Sequence, residues 1–321
     1  MADLDRLQQR EADAGNADLR AMLKAISGRK AGQAQRWLAR WQGAEHGPND
    51  PLPVTPPSSP DNDSMNADAG LTTPKEVGNP EVSGGDNQAT PEAAPVLDRQ
   101  DVTPELIILR VARPAGFTFS PGQSVKVGVG DMRRSYSLVS APHEPFLEFF
   151  VELVPGGRMS ERLRQLAVGQ PVSLGTAKGG LHFDKGVTNH LMIATVTGIN
   201  PFISMLRDYL QQGSSGHRIL VMHGASYQDE FGYRQELESL AAAHPQMLSY
   251  VPTVSRPDEP RNQSWQGRTG RVDTLVQEIL EQQGYDPQDT RVYACGHSGM
   301  LASVAAQLQP RGFRLETESY D

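Results

Sequence analysis

The sequence predicts two folded domains, an antiparallel β-barrel over residues 96–187 and a doubly wound α/β domain over residues 188–321. Short apolar runs separated by glycine and proline fill the first range, as is typical of closely spaced antiparallel strands. In the second range apolar runs alternate with longer helical patterns, which is typical of a parallel sheet covered on both faces. Before them, the composition predicts a helical segment over residues 1–45 and a disordered linker over residues 46–95.

The first 45 residues carry apolar side chains at helical spacing. Leu19, Met22, Leu23 and Ile26 occupy positions i, i+3, i+4 and i+7 of one stripe. Two interpretations stay open. The segment is either a helical appendage with a solvated basic face or an element that docks a protein partner.

Residues 46–95 contain ten prolines and no aromatic residue. Such a stretch cannot bury enough apolar surface to offset the entropy of ordering, so we predict a disordered linker. It also holds eight acidic residues and one lysine, which account for most of the formal net charge of −8. Because the acidity lies in a predicted linker, it indicates neither a nucleic-acid nor a membrane partner.

Composition excludes several classes of protein. Cys295 is the only cysteine, so the sequence holds neither an internal disulfide nor a four-thiolate metal or iron–sulfur site. The eight histidines show no metal-ligand spacing, and basic clusters interleaved with aromatics are absent from the folded part, so we expect no metal and no nucleic acid. No apolar run approaches the ~18 residues of a membrane span. The start lacks a signal-peptide pattern, so we expect a cytoplasmic protein.

The elements of both domains follow from these patterns. In the barrel we predict one helix, Met159–Leu166, and strands Leu106–Val111, Ser124–Val129, Arg134–Ser140, Phe146–Val154 and Pro171–Leu174. In the α/β domain we predict helices near 201–212, 229–243, 271–283 and 299–309, and strands Leu191–Val196, Arg218–His223, Met247–Thr253, Arg291–Ala294 and Phe313–Glu318. A site is expected at the carboxyl ends of the parallel strands.

The first informative segment is Arg134-Ser135-Tyr136-Ser137. On a strand, Arg134 and Tyr136 share one face and Ser137 points to the other. The segment Phe149–Ser160 follows, in which a glycine-rich turn precedes a helix whose first amides suit an anion. Ser160 fits either a phosphate ligand or a simple helix N-cap.

Together with the turn Phe119-Ser120-Pro121-Gly122-Gln123, these segments resemble the ferredoxin–NADP reductase superfamily, most closely its bacterial ferredoxin/flavodoxin–NADP reductases. The resemblance implies FAD as cofactor. It implies that Arg134 pairs with the pyrophosphate, that Tyr136 packs on the isoalloxazine and that Ser137 bonds near flavin N5. By the same match, strand residues Val151, Glu152 and Leu153 meet the ring, and the phosphates are held by Gly157, Arg158, Met159 and Ser160.

The segment Thr195-Val196-Thr197-Gly198-Ile199-Asn200-Pro201-Phe202 resembles the first nicotinamide-nucleotide loop of this family, with Thr197 as a nucleotide contact. Two positions depart from the family pattern. Val196 replaces a glycine, and Asn200 replaces the usual alanine or glycine. Glycine permits a positive φ and a close approach of the backbone, and a β-branched residue resists both. The two departures therefore put the affinity or the pose of the bound nucleotide in question.

The resemblance also implies a nucleotide preference. Ser255-Arg256 is similar to the Ser-Arg pair that holds the 2′-phosphate of NADP, and Arg271 is a candidate second cation. Ser226 stands where bacterial members often place an arginine. No acidic residue closes the second parallel strand, where an NAD site needs one for the ribose, so we predict NADP rather than NAD.

The last two motifs complete the predicted site. Cys295-Gly296 resembles the family's loop near the nicotinamide, and the C-terminal Glu318 and Tyr320 match residues beside the flavin. The resemblance thus implies Ser137, Cys295 and Glu318 as catalytic residues, and Gly296 and Tyr320 as cofactor contacts. An inert buried thiol remains the alternative for Cys295.

An α/β-hydrolase does not fit. Gly296-His297-Ser298-Gly299 follows a strand and precedes a helix, as a nucleophile elbow does. However, Met300 stands where that motif requires glycine, and no histidine follows Ser298 as the order of the triad requires.

The function that the resemblance implies is an FAD-dependent oxidoreductase that passes electrons between NADPH and ferredoxin or flavodoxin, by hydride transfer to flavin N5. Surface arginines would steer the acidic carrier, with candidates Arg133, Arg158, Arg162 and Arg164. The alternative is an altered or non-catalytic flavin-binding module, a sensor or scaffold that binds NAD(P)H weakly.

Overall fold

The computed structural model describes residues 92–320. The predicted helical segment over residues 1–45 lies outside the described residues. So does the predicted linker, apart from its last four residues.

Six antiparallel strands form the sheet of the first domain. They are β1 (Glu92–Thr103), β2 (Leu106–Ala112), β3 (Ser124–Val129), β4 (Met132–Ser137), β5 (Phe146–Glu152) and β6 (Pro171–Lys178). The order across the sheet is β4-β3-β6-β1-β2-β5. Just past β4, the Val139 amide donates to the Glu148 carbonyl of β5 at 2.9 Å. This bond joins the two ends of the sheet, so the sheet closes as a barrel does. Helix α1 (Arg158–Gln165) lies between β5 and β6 in the chain.

Six parallel strands form the sheet of the second domain. They are β7 (Asn189–Thr195), β8 (Arg218–Ala225), β9 (Leu248–Val254), β10 (Arg268–Thr269), β11 (Thr290–Gly296) and β12 (Arg314–Ser319). The helices are α2 (Asn200–Gln211), α3 (Arg234–Ala243), α4 (Val276–Gln283) and α5 (Ser298–Leu308). The order β10-β9-β8-β7-β11-β12 reverses between β7 and β11. Loops that leave adjacent strands in opposite directions open a crevice there, at the carboxyl ends of these two strands.

Alternating side chains of β7 pack into two different hydrophobic cores. Leu191 and Ile193 pack with α4 and α5 on one face of the sheet. Met192 and Ala194 pack on the other face with α2, α3 and first-domain residues such as Phe150. Burial on both faces explains why this strand is continuously apolar. The first domain has a separate core inside its sheet.

The predicted order of elements in these domains is confirmed, with local corrections. Strand β1 was missed, and the predicted linker was wrong for residues 92–95, which belong to that strand. The Pro95 end of β1 pairs with β6, and the rest of the strand pairs with β2. Two irregularities in register break its alternation of apolar and polar residues. The pairing is long-range, so local composition did not indicate it.

Other predicted boundaries shift. Strand β4 ends at Ser137 rather than at residue 140. The helix predicted over 229–243 begins only at Arg234. The helix predicted over 271–283 starts with a 3₁₀ turn, Val272–Leu275. Among the helices of residues 92–320, none is long and apolar enough to cross a membrane.

Candidate active site between the two sheets

A cavity of about 810 Å³ lies where the two domains meet at the carboxyl ends of β7 and β11. Its lining comes from β4, β5, the start of α1, the loop after β7, the end of β11 and the C-terminal segment. The lining residues are Ser124, Arg134, Ser135, Tyr136, Ser137, Phe150, Val151, Glu152, Val154, Gly157, Arg158, Met159, Ser160, Thr195, Val196, Thr197, Asn200, Gly296, His297, Glu318, Ser319 and Tyr320. The volume lies within the range of cofactor sites.

Strand β4 presents three predicted residues to this cavity. Arg134 is exposed, and within the described chain its guanidinium bonds only to the Arg133 carbonyl, at 3.0 Å. It therefore remains free to pair with an anion. Tyr136 is half-buried, and burial raises its pKa to about 12, so the phenol stays neutral. Ser137 is buried on the opposite face, as the alternation of the strand predicts.

The start of α1 forms a second wall. Gly156, in the turn before it, has φ +72°, and Gly157 is the N-cap. Ser160 is buried in the first turn. The free amides of this turn suit a phosphate. Leu153 is not among the residues that line the cavity; its side chain lies in the first-domain core and its amide donates to the Glu105 carbonyl.

A chain of hydrogen bonds runs along the base of the cavity, which Ser137, Glu318 and Tyr320 line, while Cys295 lies fully buried behind Tyr320. The Cys295 thiol donates to the Tyr320 hydroxyl at 3.0 Å, and that hydroxyl lies 3.4 Å from Ser137 Oγ, to which it donates. Ser137 Oγ in turn donates to Glu318 Oε1 at 2.9 Å. The three predicted catalytic residues are thus brought together with Tyr320. Tyr320 is 38% exposed as a residue and lines the cavity although its hydroxyl is hydrogen-bonded, so it is available to contact a cofactor.

Burial sets the protonation of this chain. It raises the pKa of Cys295, an effect to which the Glu318 carboxylate adds, so the thiol is neutral and is no thiolate nucleophile. Burial also raises the pKa of Glu318, against the opposing effect of the bond from Ser137. The second oxygen of Glu318, Oε2, is buried and has no hydrogen-bond partner among the described residues.

The loop after β7 has, at Val196, a backbone conformation that glycine adopts more readily than valine does. Val196 has φ +43°, and it is the one non-glycine residue of 92–320 with positive φ. Its carbonyl accepts a bond of 2.9 Å from His223 Nε2, while His223 Nδ1 lies 3.2 Å from the Tyr250 hydroxyl. Burial lowers the pKa of His223 to about 4, so the imidazole is neutral. Gly198 lies so close to β11 that an added Cβ would fall 2.1 Å from the Cys295 carbonyl oxygen.

The predicted nucleotide-phosphate residues lie apart from the cavity, beyond the ends of β8 and β9. Arg256 donates to the Tyr227 hydroxyl at 2.9 Å, and the Arg261 guanidinium lies 3.9 Å from the centre of the same ring. Ser255 donates its amide to the Ala225 carbonyl. Arg271 is exposed and pairs with Asp273 at 3.1 Å.

Comparisons with known proteins agree with this architecture. Residues 93–183 match the family model described as oxidoreductase FAD-binding domain, and residues 192–306 match the one described as oxidoreductase NAD-binding domain. Ferredoxin–NADP reductase A of Sorangium cellulosum is 32% identical over 238 residues, 68% of this chain and 82% of the relative. The chain belongs to the ferredoxin–NADP reductase family.

Further relatives extend the comparison for this reductase. A Pseudomonas aeruginosa ferredoxin–NADP reductase is 29% identical over 225 residues, which cover 65% of this chain and 86% of the relative. Among solved structures, a Neisseria gonorrhoeae ferredoxin NADP⁺ reductase with bound FAD and NADP superposes with a TM-score of 0.63 and 25% identity. The match covers 72% of this chain and 99% of that one. The predicted family, enzyme class and cofactors FAD and NAD(P) are confirmed.

The residues of the cavity fit FAD on their own chemistry. The unpaired guanidinium of Arg134 and the free amides at the start of α1 suit a diphosphate. Two buried acceptors, Asn200 Oδ1 and Glu318 Oε2, have no donor within residues 92–320. A ring system with its own N–H and polar edges would supply such donors.

Several lining residues of the reductase were not predicted as site residues: Ser124, Ser135, Phe150, Val154, Thr195, His297 and Ser319. Thr195 begins the quoted nucleotide-loop motif without having been assigned a contact, and His297 follows the Cys295-Gly296 motif by one position, so both lay within reach of the sequence argument. Phe150 and Val154 lie on or beside β5, and their sequence positions carry no chemical signal that separates them from core residues.

Proposed function

We propose that this reductase passes electrons between NADPH and a one-electron carrier such as ferredoxin or flavodoxin. The observation that carries the proposal is the hydrogen-bonded chain from Cys295 to Glu318 at the base of a cavity lined by both domains. Bound FAD would supply the chemistry that links the hydride of a nicotinamide to a carrier that takes up single electrons. The protein supplies orientation and proton positions.

Ser137, Cys295 and Glu318 are the residues we assign to the reacting region. Glu318, with its raised pKa, can hold a proton and release it through Ser137 Oγ. Cys295 stays a neutral donor to Tyr320 and fills the wall behind it. Arg134 and the first turn of α1 would hold the FAD phosphates, and Tyr136 and β5 would hold its ring.

The preference for NADPH rests on charge at the carboxyl ends of β8 and β9. Arg256 and Arg261 flank Tyr227 there. The two acidic residues that follow β8 are both engaged, because Asp229 pairs with Arg261 and Glu230 Oε2 accepts the amides of Ser226 and Tyr227. We assign Arg256 to the 2′-phosphate, with Arg261 as a cation that the sequence did not indicate. Arg261 also forms an ion pair with Asp229, with 2.7 Å between Nη2 and Oδ1.

The carrier is proposed from the charge around the cavity mouth. Arg133 and Arg134 are exposed on β4, and Val154, which lines the cavity together with Arg134, is 54% exposed. An apolar side chain with exposed arginines suits an acidic electron carrier. Arg158 and Arg162 pair with Asp131, and Arg164 bonds to the carbonyls of Pro104 and Leu153. Arg133 is therefore the arginine we assign to steering.

The test is the flavin absorption band of the purified protein, followed during anaerobic addition of NADPH and then NADH. We expect bound FAD that bleaches with NADPH at lower concentration than with NADH. Arg256→Ala should raise the NADPH dissociation constant by about tenfold or more and leave that of NADH unchanged, since one charge-assisted bond to phosphate is lost. Arg311→Ala, at the amino end of the second sheet, is the matched control. Equal bleaching by both nucleotides in wild type and Arg256→Ala would refute the preference.

A second candidate function is an altered flavin-binding module that binds the nucleotide weakly and serves as sensor or scaffold. The positive φ of Val196, in the predicted nucleotide loop, favours it. FAD that stays oxidised with both nucleotides in wild type, and that bleaches in Val196→Gly, would support this alternative over an active reductase.

A further inference from the structure

Helix α2 presents three polar side chains along one face to the first domain. Positions 200, 204 and 207 are spaced i, i+4 and i+7, so they lie in line on the helix. Each donates across the domain boundary: Asn200 Nδ2 to the carbonyls of Ser137 at 3.3 Å and Phe150 at 2.9 Å, Ser204 Oγ to the Ser140 carbonyl at 2.7 Å, and Arg207 Nη1 to Glu148 at 3.0 Å and Glu144 at 3.3 Å. Such bonds are directional, so they specify one arrangement of the two domains.

Asn200 lies at the gap between β4 and β5, the two edge strands of the first-domain sheet. The segment after β4 pairs with β5 at Val139 and Glu148. Strands β4 and β5 themselves are not hydrogen-bonded neighbours. At this gap the Asn200 carboxamide gives one hydrogen to each strand, at Ser137 and at Phe150. The Asn200 side chain thus bridges two strands that share no backbone hydrogen bond of their own. Both strands line the cavity at this point.

The other atom of this carboxamide is left without a partner. Asn200 is 3% exposed, and its Oδ1 accepts no hydrogen bond within the described residues. Exchanging the amide oxygen and nitrogen would set an oxygen against two carbonyl oxygens, so the orientation is fixed by its neighbours. A buried acceptor without a donor is costly, and Asn200 is one of the residues that line the cavity, so a group bound there is a candidate for the missing donor.

We propose that Asn200 is a positioning residue for the flavin. Its amide nitrogen holds β4 and β5 together, and its carboxamide oxygen accepts a hydrogen bond from an N–H of the bound FAD ring. The residue lies in the nucleotide-binding domain, so the same side chain ties that domain to the two strands that carry the flavin. The inference rests on FAD binding and not on the choice of nucleotide or electron carrier.

Two neighbouring variants separate this role from a general structural one. Asn189→Ala is the matched control, because Asn189 is also buried, donates to one carbonyl and has an unpartnered Oδ1. It lies at the amino end of β7, about 20 Å of strand away from the cavity. Ser204→Ala removes a bond between the domains on the same helix without touching the cavity.

The experiment measures the FAD dissociation constant by reconstituting the apoprotein, together with the flavin midpoint potential and the melting temperature of the apoprotein. We expect Asn200→Ala to raise the FAD dissociation constant about tenfold, as loss of one hydrogen bond of about 1.4 kcal/mol does. It should also shift the potential. Asn189→Ala and Ser204→Ala should lower the melting temperature but change the FAD dissociation constant less than about twofold.

Equal FAD dissociation constants for Asn200→Ala and Asn189→Ala would overturn the proposal and leave Asn200 a structural residue. If Asn200→Ala does not fold, Asn200→Ser, which keeps one donor, is measured in its place. An unchanged dissociation constant and potential in that variant would overturn it as well. Wild-type protein that takes up no FAD would instead refute FAD binding itself, which keeps the two failures distinct.

Discussion

Val196 shows how one residue can keep a loop conformation that its own side chain opposes. The left-handed region costs an L-residue roughly 1–2 kcal/mol, and β-branching makes it worse. The conformation persists because the neutral His223 donates to the Val196 carbonyl and because the valine side chain packs against two apolar clusters. The surroundings thus compensate a backbone strain that lies in the wall of the cofactor cavity.

The first prediction compares two variants at this position. Val196→Gly and Val196→Ala both lose the packing of the isopropyl group, but only glycine relieves the backbone. We expect the glycine variant to be more stable than the alanine variant by about 1 kcal/mol in urea unfolding. At Ala302, exposed within α5, the sign should reverse, with Ala302→Gly less stable by about 1 kcal/mol. An alanine variant as stable as the glycine variant would show that Val196 is not strained.

The family pattern places a glycine at this position, which permits a positive φ, but with valine present the sequence predicted altered nucleotide binding rather than this conformation. It did not predict how a valine could be accommodated. His223 comes from the neighbouring strand and lies 27 residues further along the chain, so its bond depends on the register of β7 with β8.

At the scale of elements, α2 and β5 are held together by a buried cluster of charges. Arg207 makes a bidentate contact with Glu236 at 2.8 Å and also reaches Glu148, which is 0% exposed. Arg110 of β2 pairs with the same Glu148 carboxylate. Burial alone would raise the pKa of Glu148, but Arg207 and Arg110 hold it below its ordinary value, so the group stays ionised. Tyr233 adds a hydroxyl bond of 3.1 Å.

The second prediction removes this central charge. Glu148→Gln should destabilise the protein by about 3 kcal/mol in urea unfolding, because two partly buried guanidinium groups lose the charge of a fully buried partner. The control is Glu238→Gln, which breaks an exposed i, i+4 pair with Arg234 and should cost less than about 0.5 kcal/mol. Similar losses for both variants would mean that the buried cluster contributes no more than a surface ion pair.

At the scale of the whole molecule, two buried histidines make folding depend on pH. His190 lies near the amino end of β7 and His223 near the carboxyl end of β8, and both are fully buried. Burial lowers the pKa of each to about 4, with His217 adding to the effect at His190. The unfolded chain therefore binds more protons than the folded protein between about pH 4 and 6.5. Stability is fully present above that window and falls as the pH decreases through it.

The third prediction isolates one of these groups. Between pH 8 and pH 5 the free energy of unfolding of His223→Gln should fall by about 2 kcal/mol less than that of wild type. Glutamine keeps a donor for the Val196 carbonyl and does not titrate. The comparison uses urea unfolding at both pH values with FAD held at one saturating concentration. His182→Gln, at an exposed position, should follow wild type. If His223→Gln also follows wild type, His223 is not the source of the pH dependence.

The sequence by itself determined the two domains of residues 92–320, their order and most of the cavity lining. The strands could be predicted because local burial sets their alternating or continuous apolar pattern. The lining residues Arg134, Ser160, Thr197 and Gly296 could be predicted because each belongs to a motif that is contiguous in the sequence. Tertiary structure decided which distant residues meet. Three features join segments that lie far apart in sequence. They are the pairing of strand β1, the series of hydrogen bonds that links Cys295, Tyr320, Ser137 and Glu318, and the contact of Asn200 with two strands. Local patterns record the face on which a residue lies, but only the pairing and packing of strands and helices decides what stands opposite it.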